Sequence, residues 1–116
     1  MNILTFDLEE WFLEKNYFGN RQEKYQAFDL YLNQILDKLE REQKKATFFC
    51  LGGMAREFPE VVRRIADKGH EIGCHSDQHV WITKLTEEEF RTDTISAIDA
   101  LEQCIGEKVL SYRAPA

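Results

Sequence analysis

The 116 residues amount to one domain at about 150 residues each, and 43% hydrophobic content is enough for a packed core. Fifteen Lys and Arg against 21 Asp and Glu leave a net charge of −6, which argues against a polyanion, and so against nucleic acid, as partner. No apolar run approaches the ~20 residues of a membrane span. The opening Met1-Asn2-Ile3-Leu4-Thr5-Phe6-Asp7 has no basic segment before its first acid, so no secretory leader is expected and the expected location is cytoplasmic.

The elements alternate along the chain. Asn2–Phe6 is a short apolar run ending at Asp7, read as a strand. From Tyr25 to Gln43, Phe28, Tyr31, Leu32, Ile35, Leu36 and Leu39 recur at helical spacing and predict one buried stripe. Ala46–Cys50 is rich in β-formers and bounded by Gly52-Gly53, which predicts a second strand. Pro59 opens a helix, where its missing N–H does no harm, with Phe58, Val62, Ile65 and Ala66 inward and Gly69 as the expected C-cap. Glu71-Ile72-Gly73 is a very short third strand, followed by a polar loop to about Thr83. Thr86 with Glu89 three residues on is a capping box. It starts a helix to about Gly106 that is expected to bury Phe90, Ile95, Ile98, Leu101 and Ile105. Val109–Tyr112 reads as a fourth strand. The order β-α-β-α-β-α-β predicts an α/β fold with a parallel sheet and right-handed crossovers. Cys50, Cys74 and Cys104 are odd in number and lack metal-type pair spacing, so reduced, mostly buried thiols are expected.

The strand C-termini of a parallel sheet share one edge, and active sites collect there. Asp7, Glu9 and Glu10 follow the first strand, His75, Asp77 and His79 the third, and Arg113 the fourth. These residues, distant in sequence, are therefore expected to converge. Crowded carboxylates repel unless a cation neutralises them. His75 and His79, four apart, can present two imidazoles to one zinc-like ion, and two histidines with a carboxylate make a catalytic metal set. Arg113, ahead of the rigid Pro115, is placed to pair with Asp7 and fix its rotamer. His70, at a helix-to-strand junction, reads as structural, with a backbone carbonyl as its expected partner.

Thr5-Phe6-Asp7, His75-Ser76-x-x-His79 and Arg113-x-Pro115 together resemble the N-terminal motifs of the NodB-homology polysaccharide deacetylases. Ala46-Thr47-Phe48-Phe49, Pro59-Glu60-Val61-Val62 and Gly69-His70-Glu71-Ile72-Gly73 resemble the stretches between those motifs. Asp7-Leu8-Glu9-Glu10-Trp11-Phe12 is closer to the DxE[DE]W variant associated with exopolysaccharide or lipopolysaccharide synthesis. The resemblance implies the N-terminal part of a distorted (β/α) barrel, with residues 1–116 a truncated domain ending within the third motif. It implies a divalent metal, most readily Zn²⁺, held by His75, His79 and a carboxylate. Leu8 cannot serve, so the ligand shifts to Glu9, with Glu10 close behind. Asp7 is implied as catalytic base and Arg113 as its positioner. The implied activity is removal of N-acetyl groups from a sugar or polysaccharide. The general acid belongs to a motif beyond this chain, so 116 residues alone should be nearly inactive. Two alternatives are an allantoinase-like hydrolase of a non-sugar amide and a non-catalytic metal-binding or interaction module. Open strand edges and a partly uncovered Phe28-Leu32-Ile35-Leu39 stripe predict a homo-dimer of the fragment.

Overall fold

The computed structural model of the protein describes residues 2–9 and 21–116, with side chains from residue 26 in the second stretch. Strand β1 is Thr5–Leu8, helix α1 Arg21–Arg41, strand β2 Thr47–Cys50, helix α2 Gly52–Glu57, helix α3 Pro59–Asp67, strand β3 Glu71–Cys74 and helix α4 Glu87–Ile105. A single 3₁₀ turn, Ile82–Lys84, precedes α4. The three strands form one parallel sheet in sequence order. Its register sets Asp7 beside Phe49 and Phe49 beside Gly73, while Leu8, Cys50 and Cys74 form the next row. Among the described residues, no helix is long and apolar enough to cross a membrane.

The helix signals act where the sequence places them. Pro59 sits in the first turn of α3, and Val61, Val62 and Ile65 are buried. Thr86 accepts from the Glu89 amide while the Glu89 carboxylate accepts from the Thr86 amide, and α4 ends at Gly106 in the left-handed conformation. Leu32, Leu36 and Leu39 of α1 join the core, with Phe28 and Ile35 packed against it. That cover within the chain removes one ground for the expected dimer. Tyr31, counted in the same stripe, is 64% exposed, and Ile95 of α4 is 54% exposed. The buried face of α4 runs through Ala97, Ala100 and the expected Leu101, with the expected Ile98 and Ile105 partly buried against the core.

Four readings need correction. The first strand starts later than Asn2: Leu4 accepts the Thr47 amide, but Ile3 and Leu4 remain exposed. Gly52-Gly53 does not merely bound β2 but opens the unpredicted α2. A Cβ on Gly52 would collide with Ala97 Cα and Asp77 Oδ1, so only glycine lets this turn approach α4 and the loop after β3. The fourth strand shrinks to one parallel bridge, Cys74 to Tyr112. Cys74 donates to Ser111 O at 2.8 Å and Arg113 donates to Cys74 O at 2.9 Å. Before that bridge the Val109 amide donates to the Glu102 carboxylate at 3.1 Å, and after it Pro115 has no amide to extend the ladder. His70, buried as expected, accepts from the Ala46 amide through Nδ1 at 3.2 Å, so its partner is an N–H and not a carbonyl.

Candidate metal centre

A strand turns alternate residues to opposite faces. Leu8 accordingly enters the core, and Asp7 and Glu9 emerge on the same side at the end of β1. There they meet the loop after β3. Glu9 Oε2 lies 2.6 Å from His75 Nε2 and 2.8 Å from His79 Nε2. One ligand atom from each of Glu9, His75 and His79 falls within 4.8 Å of the others. The two imidazoles meet edge to face, 5.1 Å between centroids. Glu10, the alternative carboxylate, lies outside the described residues.

Hydrogen-bond bookkeeping tests whether this cluster suits a cation. His75 Nδ1 is 2.8 Å from the carbonyl oxygen of Arg113. A carbonyl only accepts, so His75 donates to it from Nδ1, and Nε2 is the nitrogen left to face Glu9. Nε2 and a carboxylate oxygen 2.6 Å apart need a positive centre between them, which either a proton or a metal ion supplies. His75 is also buried, 2% exposed. The donor set of two imidazoles and one carboxylate is that of a zinc-like ion. The thiols are not competitors: burial raises Cys50 and Cys104, and it pushes Cys74 up to about 11.

Asp7 stands beside the cluster. Its Oδ1 accepts from Arg113 Nη1 at 2.7 Å, and its Oδ2 lies 3.9 Å from His75 Nε2. One oxygen is thus anchored and the other faces the cluster. Arg113 also donates from Nη2 to Thr5 Oγ1 at 2.9 Å and lies over the Phe49 ring, 4.3 Å from its centroid. Such a contact adds about 0.5–2 kcal/mol. A Cβ on Gly73 would stand 2.6 Å from Phe49 Cδ1, so glycine there leaves the ring room to lie beneath the guanidinium.

The structure therefore brings together Asp7, Glu9, His75, His79 and Arg113. Asp77, also placed after β3 by the sequence, is turned away to Arg56 of α2, with both carboxylate oxygens 2.6 Å from Nη2. Thr5 and Phe49 were not anticipated. Thr5 was reachable, since it is two residues before Asp7 and shares its strand face. Phe49 needed the sheet register.

The Polysaccharide deacetylase family profile matches residues 3–116, and the chain belongs to that family. It is 42% identical over 82 residues to a peptidoglycan-N-acetylglucosamine deacetylase of Bacillus cereus, covering 71% of this chain and 30% of that one. The solved structure of T48 deacetylase with substrate superposes with a TM-score of 0.72 at 34% identity, covering 97% of this chain and 48% of that one. A CE4 family pseudoenzyme from Bacillus anthracis gives a TM-score of 0.80 at 25% identity, covering 97% and 34%. The chain thus spans less than half of each of these three relatives.

Proposed function

We propose that the protein is a metal-dependent hydrolase that removes N-acetyl groups from a glycan. The observation that carries this reading is the convergence of Glu9, His75 and His79 on one point, with Asp7 clamped beside it by Arg113. Deacetylase relatives support the reaction class.

Glu9, His75 and His79 would hold the ion through Oε2 and the two Nε2 atoms. A divalent cation such as zinc, when bound by such a set, polarises an acetamide carbonyl and acidifies a water. Asp7 takes the proton of the attacking water at Oδ2, the oxygen that Arg113 leaves free. Arg113 holds Asp7 through Oδ1, is itself held by Thr5, and through its backbone carbonyl fixes the tautomer of His75. A single residue therefore sets both the base and a ligand. Orienting partners of this kind are typically worth 10–100-fold in metal affinity or activity.

The test is zinc binding by calorimetry together with acetate release from N-acetylglucosamine oligomers and from N-acetylated polysaccharide, on the complete protein. The reading expects one zinc per chain, chelator-sensitive acetate release, and zinc binding lost in the double variant His75→Ala, His79→Ala. Asp7→Asn should keep the zinc and lose about 10²–10⁴-fold in rate. Zinc bound without acetate release from any of these substrates would overturn the hydrolase and leave a binding module.

A further inference from the structure

His75 and His79 belong to a loop whose backbone is not relaxed. Ser76 has φ 71° and His79 has φ 61°, both in the left-handed region. Non-glycine residues held there cost about 1–3 kcal/mol each and persist only where the surroundings over-determine them. Within the loop Ser76 Oγ accepts the His79 amide at 3.0 Å and Gln78 Nε2 donates to Asp77 Oδ2 at 3.2 Å, and further ties come from outside it. Gly52 and Gly53 of α2 donate to the carbonyls of Ser76 and Asp77, each at 3.0 Å. Arg56, one turn on in α2, grips both oxygens of Asp77, whose side chain is only 13% exposed. Asp93 of α4 accepts the Asp77 amide at 3.1 Å. Two helices thus hold one residue, Asp77, midway between the two histidines.

We propose that Arg56, Asp77 and Asp93 are positioning residues for the metal centre, holding the loop so that the Nε2 atoms of His75 and His79 face Glu9 before any ion binds. The proposal rests on the reading that Glu9, His75 and His79 take a divalent cation. Asp77 is not one of the converging ligands, and its carboxylate is occupied by Arg56. Its contribution is preorganisation: a loop freed from α2 and α4 must regain the left-handed turns when the ion binds, and the affinity falls by that amount.

Cobalt(II) titration of the protein tests this, because the visible d–d bands report the geometry of the ligand set and do not follow fold stability. Arg56→Met and Asp93→Ala should each weaken cobalt binding about 10–100-fold and change the bands at saturation, with Arg56→Lys recovering part of both. Circular dichroism and urea unfolding of the metal-free variants identify any that fail to fold, and Arg56→Lys then carries the test with its smaller shift. Variants that fold and give wild-type affinity and bands overturn the positioning role. Lower stability with unchanged bands and affinity overturns it equally, since that is the outcome of a merely structural ion pair. A wild type that binds no cobalt overturns the metal reading itself, a result distinct from either.

Discussion

Arg113 works through two different atoms at once. Its guanidinium reaches Asp7 and Thr5, whereas its main-chain carbonyl reaches His75. Side-chain truncation removes only the first. Arg113→Ala should therefore leave zinc affinity within a few-fold of wild type, while acetate release falls about 10²-fold as Asp7 loses its orientation. Calorimetry and a coupled acetate assay on the same preparation check both halves. A collapse of zinc binding in that variant would mean that the guanidinium, and not the carbonyl, holds the ligand set. The convergence of Asp7, Glu9, His75, His79 and Arg113 was legible because each lies at or just past the C-terminal end of an apolar run read as a strand, and strand ends of a parallel sheet meet. Arg56 and Asp93 were not legible, since they are two among many charged residues on the helices and gain meaning only from the tertiary position of Asp77.

Among the elements, α4 carries the clearest local code. Both halves of its capping box form, at 3.2 Å for the Thr86 hydroxyl and 2.8 Å for the Glu89 carboxylate. Thr86→Ala leaves the Glu89 amide unpaired and should cost about 1 kcal/mol, with Thr86→Ser restoring most of it. Urea unfolding followed by circular dichroism measures the difference, and no shift in midpoint would show that the box contributes nothing here. Helix α2 shows the opposite case. Six residues beginning Gly-Gly carry no periodic stripe and no side-chain cap, so local rules read them as a turn. Their conformation comes from the Ser76 and Asp77 carbonyls that receive their first amides. The fourth strand failed for a related reason: its apolar pattern was real, but Glu102 competes for the Val109 amide.

On the scale of the molecule the two edges of the sheet differ in role. The candidate metal centre occupies the C-terminal edge, while His70 sits at the N-terminal edge, against Ala46 and with its ring 5.3 Å from that of Phe48. Burial lowers its pKa below the ordinary 6.5, and the charges of Lys45 and Lys68 lower it further. Above that ordinary value His70 is neutral in both folded and unfolded chains. As pH falls below it, the unfolded chain takes up a proton that the folded chain refuses, so stability is lost, at no more than about 1.4 kcal/mol per pH unit for one proton. The stability advantage of wild type over His70→Gln should accordingly shrink between about pH 7.5 and pH 5.5. Parallel curves from denaturant titrations across that range would show that His70 does not titrate with unfolding. The alternation of strands and helices was readable along the whole chain, because amphipathic periodicity survives without tertiary knowledge. The sheet's register was not, and it is the register that sets Phe49 beside Asp7.

The pair of Asp7 and Arg113 also joins positions 106 apart in the chain. Closing a loop of that length costs about 4 kcal/mol of chain entropy beyond a nearest-neighbour contact, and one exposed ion pair contributes about 1 kcal/mol at most. The clasp therefore cannot form ahead of the body of the fold. It must close after β1, β2 and β3 have aligned, and it opens as soon as any of them parts. An ion held beside it by Glu9, His75 and His79 would report on fully folded molecules alone, and its binding energy would be felt as resistance to unfolding of the whole chain.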